Sequence, residues 1–227
     1  MPVDLLTLED AGEALSPPRR ALLLAESAPG PPVEPREPVG RTHARLLGLY
    51  QELAGSMLEG TVDCPACAAT VELNVACEDL LAAQPAVPVD PGPLLTGTGS
   101  VTWRPVSYDD LAAAESEDDA QAVAEVLSRC VDGEVTERLR PALCAAMATA
   151  DPLAEIEVEL VCPECEEPVL AFLDVLDFTW AQVVAKAEAL LLEVDVLARA
   201  YSWSEAEILA LSPARRRRFV ELATGGA

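Results

Sequence analysis

Two Cys-x-x-Cys pairs are the residues of this chain best suited to chemistry. Cys64 and Cys67 lie in "VDCPACAATVELNV", and Cys162 and Cys165 lie much later, in "ELVCPECEEPVLAFLDV". At a hairpin tip, such a pair can direct both sulfurs to one side, about 2.3 Å from a shared zinc ion. Two pairs complete a tetrahedron and leave no open position. We therefore predict these four cysteines as the ligands of one structural Zn²⁺ ion.

The residues around each pair predict the hairpins that would hold the metal. Apolar and polar residues alternate from Val71 to Val75 after the first pair, and from Glu155 to Leu160 before the second. This alternation is typical of half-buried strands. A redox dithiol is the alternative for a Cys-x-x-Cys pair. That motif normally opens a helix after a strand, whereas a polar hairpin follows here.

The remaining cysteines, Cys77, Cys130 and Cys144, stand alone in the sequence. We expect them to be small buried thiols in a reducing compartment, because an odd number of cysteines does not suit a secreted disulfide framework. The acidic start of the chain also lacks the basic and apolar segments of a secretory signal. These features predict a cytoplasmic protein.

The formal net charge of −24 indicates which partners the protein can bind. It opposes general binding to nucleic acid and docking on anionic membranes, because both require an excess of lysine and arginine. It suits a protein whose partners are other proteins with basic patches. An acidic cytosolic surface without any such role is the alternative.

Much of the remaining sequence predicts helices. Half the residues are apolar and only 4% are aromatic, so the core must consist mainly of Ala, Val and Leu. The strongest pattern is a heptad seam from Phe178 to Tyr201, which we expect to lie in the core. The other predicted helices are Val3–Ala14, Pro17–Ala25, Arg41–Leu53, one from Ser107, Ala120–Cys130, Val135–Ala148, one from Ser204 to Leu211 and one from Pro213. Proline-rich stretches, Ser27–Gly40 and Ala83–Ser100, are predicted as connectors.

The predicted fold class is α+β, with a mainly helical body around a split zinc ribbon that is formed by the two CPxC hairpins. Residues 61–78 and 155–175 form the ribbon. Residues 1–60 form N-terminal helices with a proline-rich connector, and residues 79–154 form an inserted strand and helices. Residues 176–227 form the long C-terminal helix and two short helices.

The other residues of chemical interest do not form a catalytic set. His43 is the single histidine, and we expect it to lie on the surface of its helix. Without a nucleophile beside it, a catalytic triad lacks its parts, so we predict that the protein is not an enzyme. Arg215, Arg216, Arg217 and Arg218 form a basic cluster at the start of the last helix, where a nearby acid should compensate for the helix dipole.

Several segments together resemble the T4-type phage baseplate hub assembly chaperone family. They are "VGRTHARLLGLYQELAG", the two cysteine pairs, "WRPVSYDDLAAA" and "FTWAQVVAKAEALLLEVDVLARAYSWSEAEILALSPARRRRFVEL". The similarity extends from about Leu5 to Leu222, and "LARAYSWSEAEILALSPARRRRFVEL" is its most specific part. The cysteine pairs resemble the zinc-containing branch that accompanies contractile injection systems, the phage-tail-like particles of bacteria.

This resemblance implies a chaperone for the baseplate hub, with hub or spike proteins as partners, or a minor structural component of the baseplate. From the residues themselves, we expect the partner surface at Tyr201, Trp203 and the four arginines from Arg215 to Arg218. Two other classes remain as alternatives. One is a zinc-ribbon adaptor in transcription, and the other is a metal-dependent enzyme, which would need an open metal position and a general base.

Overall fold

The computed structural model describes residues 4–84, 93–96, 99–116 and 118–225. Within these ranges the chain is a mixture of helices and short antiparallel strands, as predicted. In chain order the elements are α1 (Leu5–Glu13), α2 (Pro17–Ser27), α3 (Val39–Ala54), β1 (Met57–Asp63), β2 (Thr70–Ala76), α4 (Cys77–Ala83), β3 (Leu94–Thr96), β4 (Gly99–Trp103), α5 (Tyr108–Ala113), α6 (Asp119–Cys130), β5 (Val131–Asp132), α7 (Arg140–Ala150), β6 (Glu157–Val161), β7 (Pro168–Phe172), α8 (Val175–Tyr201), α9 (Glu205–Leu209) and α10 (Pro213–Ala223).

The main core lies where α2, α3 and the first half of α8 pack together. Leu46 and Leu47 of α3 and Val183 of α8 are fully buried in it. The inner faces of both cysteine hairpins add Leu58 and Ala171 to the same core. The hairpins are therefore attached to the helical body, and they extend from it towards their cysteine tips.

The long helix α8 begins at Val175, three residues before the predicted start. Asp174 caps it, because its carboxylate accepts a hydrogen bond from the backbone N–H of Asp177 at 3.0 Å. Val183, Ala187 and Leu197 of the heptad seam are buried, which confirms its core position at these turns. No helix in the described ranges, α8 included, is both long enough and apolar enough to cross a membrane.

His43 lies in the core, so the predicted surface position is wrong. Its Nδ1 donates to the carbonyl oxygen of Leu153 at 2.7 Å, and its Nε2 accepts from the Tyr108 hydroxyl at 2.7 Å. His43 shares the α3 face of Leu47 and Tyr50, since positions i, i+4 and i+7 coincide on a helix. Burial lowers the pKa of His43, which keeps the imidazole neutral at pH 7.

The first proline-rich stretch is held against the body by Arg45. The guanidinium donates to the buried Glu37 carboxylate at 2.7 Å and to the carbonyl oxygen of Pro31 at 2.6 Å. Of the second stretch, residues 85–92 and 97–98 lie outside the described residues. Its described part differs from the predicted connector, because Leu94–Thr96 pairs as β3 with β4.

The inserted segment has a small core of its own, in which β4, α6, β5 and α7 meet. Asp110 of α5 is buried beside this core, where the Cys130 sulfur lies 3.6 Å from its carboxylate. Its carboxylate accepts two hydrogen bonds from Arg104, at 2.6 and 2.8 Å, and one from the Ser107 hydroxyl at 2.6 Å. Burial alone would raise the pKa of Asp110, but the bonds from Arg104 and Ser107 outweigh it and hold the pKa well below its usual range. Ser107 and Asp110 also form a capping box at the start of α5, which confirms the helix predicted from Ser107.

We predict that Asp110→Asn lowers the free energy of unfolding by about 2 kcal/mol, because the neutral amide loses charge-assisted hydrogen bonds in a buried site. Urea unfolding at pH 7 measures the change. Asp119→Asn is the matched control, since Asp119 is an exposed acid in the same segment. Equal stability of the two variants would contradict this role of Asp110.

Candidate metal centre

The tips of the two hairpins bring the four predicted cysteines together. The sulfur atoms of Cys64, Cys67, Cys162 and Cys165 all lie within 4.8 Å of one another. The Sγ atoms of Cys64 and Cys165 are 3.6 Å apart, and so are those of Cys67 and Cys162. Four sulfurs that surround a metal tetrahedrally at zinc distances are about 3.8 Å apart. The cluster can therefore hold one metal ion, with two ligands from each hairpin.

The backbone builds the same turn at both tips. In the first, the N–H of Cys64 donates to the Ala69 carbonyl, and the N–H of Ala68 donates to the Cys64 carbonyl, both at 2.8 Å. In the second, Cys162 is paired in the same way with Glu167 and Glu166, both at 3.0 Å. The strand registers also match, because Val62 pairs with Val71 and Leu160 pairs with Val169. The two hairpins are thus one structural unit that is used twice.

The residue after each second cysteine adopts a left-handed backbone. Ala68 has a φ of 59° and Glu166 has a φ of 61°. This conformation turns the chain back into the second strand of each hairpin. It costs a residue with a side chain about 1 kcal/mol, because Cβ approaches the following carbonyl oxygen, and glycine avoids the cost. Both turns therefore carry a small strain that the rest of the centre must offset.

Backbone amides contribute to the electrostatics of the sulfurs. The N–H groups of Cys165 and Glu164 donate to the Cys162 sulfur and lower its pKa to about 7. The N–H of Glu167 lowers the pKa of Cys165, but burial and the neighbouring thiols outweigh it and raise that pKa to about 12. Four thiolates at these distances repel one another. A divalent cation removes this repulsion, so the donor set fits a metal ion.

The inner side of the cluster is apolar. Cys64 and Cys162 are buried, and they pack on Val71 and Val169, one valine from each hairpin. Cys67 is exposed to solvent. A metal ion held here would have two ligands shielded by the hairpins and an outer side that solvent reaches. The apolar support also fixes the direction of the inner sulfurs.

The predicted partner residues lie at the far end of α8 from this centre. Tyr201 and Trp203 are stacked at 4.7 Å, and Phe219 of α10 lies edge-on to Trp203 at 5.0 Å. Arg216 pairs with Glu193 at 2.9 Å, as expected of a compensating acid. Helix α8, which is about 40 Å long at about 1.5 Å of rise per residue, runs from the end of the second hairpin to this cluster. Arg215, Arg217 and Arg218 are exposed.

Two exposed features were not predicted from the sequence: the Cys144 thiol and the apolar side chains on the second hairpin. Cys77 and Cys130 are buried as predicted, but Cys144 is exposed, because it lies on the α7 face that lines a groove. Strand β7 also carries exposed Leu170 and Phe172, at positions where the first hairpin is polar. Aligning the residues that follow each cysteine pair reveals this difference.

We predict that Cys64→Ala loses the metal and destabilises both hairpins together, because three sulfurs cannot complete the tetrahedron and structural zinc supplies about 10 kcal/mol at neutral pH. Elemental analysis should show less than one zinc ion per chain, and Tm should fall. Cys144→Ala is the matched control, since its thiol lies outside the cluster. A Cys64→Ala protein with a full equivalent of metal and an unchanged Tm would show that the ligand assignment is wrong.

We also predict that Ala68→Gly and Glu166→Gly each stabilise the metal-loaded protein by about 1 kcal/mol, because glycine adopts the left-handed backbone without strain. Chemical unfolding in the presence of zinc measures the gain. Ala66→Gly is the control: it lies in the same turn, and its φ is not left-handed. If Ala66→Gly stabilised the protein as much as Ala68→Gly, strain at Ala68 would not be the cause.

Comparisons of the chain with protein-family models, curated proteins and solved structures find no match. The structure therefore supports a cysteine cluster that can bind a metal, on the basis of its geometry alone.

Proposed function

We propose that the protein is a non-enzymatic assembly factor, a chaperone for the baseplate hub of a phage-tail-like contractile injection particle, and that its four cysteines hold a structural Zn²⁺ ion. The proposed structural role of the metal is based on one observation: four sulfurs from two hairpins lie within 4.8 Å of one another. The proposal that the protein acts on such a particle is based on the resemblance of its sequence to the baseplate hub assembly chaperone family.

The donor set favours a structural zinc ion in a split zinc ribbon. Tetrahedral sites with four thiolates suit zinc or iron, and four protein ligands leave no position for a substrate or a catalytic water. The ion would join two hairpins that are far apart in the chain. When bound, it supplies a cross-link between them and no reaction. Elemental analysis of the purified chain identifies the metal.

The surface charge favours protein partners with basic patches. A net charge of −24 keeps the chaperone in solution and attracts a basic or adhesive hub subunit until that subunit is incorporated. The same charge acts against an adaptor for nucleic acid, because Glu72, Glu157 and Glu159 lie exposed on the hairpin strands. The proposed place of action is the cytoplasm of the bacterium that produces the particles.

The partner surface that the sequence suggests has the chemistry of a protein contact. Tyr201, Trp203 and Phe219 form a half-buried aromatic cluster, and exposed arginines of α10 lie beside it. Tyrosine, tryptophan and arginine are the residues that most often dominate protein interfaces. This cluster is the first candidate contact with the hub or spike proteins.

The test is affinity purification of the tagged, zinc-loaded protein from cells that are making the particles, together with mass spectrometry of purified mature particles. We expect hub or spike subunits to be recovered with the protein, and we expect the protein to be absent from mature particles. Untagged protein from the same cells is the control for unspecific recovery.

The other outcomes of this experiment separate the remaining functions. A fixed stoichiometry in mature particles would favour a minor structural component of the baseplate over a chaperone. Recovery with RNA polymerase or nucleic acid, and without particle subunits, would overturn both and favour the transcription adaptor.

A further inference from the structure

The two hairpins differ on their outer faces, although their scaffold is the same. Counted from the first cysteine of each pair, Glu72 of the first hairpin corresponds to Leu170 of the second, and Asn74 corresponds to Phe172. In the same way, Asp63 and Thr70 correspond to Val161 and Pro168. Polar positions in one hairpin are therefore apolar in the other.

These apolar side chains are in contact with solvent. Val161 is 67% exposed, Phe172 is 64% exposed and Leu170 is 49% exposed. The first hairpin shows that the scaffold and its metal turn need no apolar residues at these positions. Exposed apolar groups that folding does not require, gathered on one sheet face, are characteristic of a binding surface. We call the outer side chains of Val161, Pro168, Leu170 and Phe172 the hairpin face.

Carboxylates lie directly beside the hairpin face. Glu157 is the cross-strand partner of Phe172, and Glu159 is the partner of Leu170. Glu166 and Glu167 lie at the tip, next to Pro168, and both are exposed. An apolar row with acids along one side is complementary to a segment that presents apolar side chains and a row of lysines or arginines.

A groove of about 690 Å³ between the second hairpin and the helical body is also lined by apolar and acidic residues. Its apolar wall includes Val106, Leu111 and Met147, and Asp151 and Glu157 line it as well. Glu157 belongs both to this groove and to the outer side of β6. A bound segment that follows the hairpin face therefore reaches a second apolar site with acids beside it.

We propose that the hairpin face, with the adjoining groove, binds a segment of a partner protein that carries apolar side chains flanked by lysine or arginine. This inference rests on the proposed function, since it names the surface and the chemistry of the partner. A second copy of the chain fits poorly, because a two-fold contact would bring the Glu157–Glu159 rows of two acidic chains together.

The direct test is photo-crosslinking from the face itself. Phe172 is replaced by benzoylphenylalanine in the full-length, zinc-loaded protein, in cells that make the particles, and Asn74 is replaced in a parallel sample. We expect adducts from position 172 at least ten times more abundant than from position 74. The crosslinked peptide, mapped by mass spectrometry, should contain apolar residues and a lysine or arginine. Adducts with a second copy of the chain, with an acidic segment, or equally from both positions would overturn the proposal.

Substitutions that copy the first hairpin test whether the face contributes to binding. The double variant Leu170→Glu/Phe172→Asn should keep one zinc ion per chain and its Tm, and lose at least ten-fold in recovery of the partner. Met57→Asn, which removes an exposed apolar side chain from the first hairpin, is the matched control and should bind normally. Full recovery of the partner by the double variant would overturn the proposal. An equal loss of partner recovery in Met57→Asn would overturn it as well.

The outcomes also separate this inference from the proposed function. If the hub subunit is recovered by the double variant and lost by Arg217→Glu/Arg218→Glu, the hairpin face is wrong and the chaperone role stands. If position 172 crosslinks a basic apolar segment of a protein unrelated to the particle, the hairpin face is supported and the chaperone role fails.

Discussion

The meeting of four cysteine sulfurs at two hairpin tips is the constraint on which the rest of the fold depends. A metal ion bound there would close residues 68–161 into one long loop, which would reduce the freedom of the unfolded chain by more than a short loop would. The insert must therefore leave and re-enter the body at neighbouring points. The second hairpin leads through Asp174 into α8, so the position of the cluster also sets where the longest helix begins.

The repeated hairpin separates structural from surface requirements. On the inner side both copies bury a valine under the sulfurs, Val71 in one and Val169 in the other, because that side packs against the cysteine cluster. On the outer side nothing in the scaffold dictates polarity. One copy is polar there, and the other presents Leu170 and Phe172. Because the two hairpins share one scaffold, folding does not require the difference in polarity between their outer faces. That difference favours a role in binding.

The two candidate contact surfaces lie beyond opposite ends of α8 and differ in character. The hairpin face is apolar and acidic, whereas the cluster at Tyr201 and Trp203 is aromatic with exposed arginines beside it. A rigid helix of about 40 Å joins them. Such an arrangement suits the proposed assembly factor, which would hold a basic subunit at one surface and contact an acidic one at the other.

The sequence by itself determined the features that depend on local pattern: the cysteine cluster by its spacing, the hairpins by alternation, and the helix starts by caps such as Ser107. Only the tertiary structure decided which polar residues are buried. Glu37, His43 and Asp110 each lie in the interior because other residues of the fold satisfy them, such as the carbonyl of Leu153 for His43. The exposure of Cys144 and Phe172 was decided in the same way. Burial depends on what packs against a side chain, and residues distant in the sequence supply that packing.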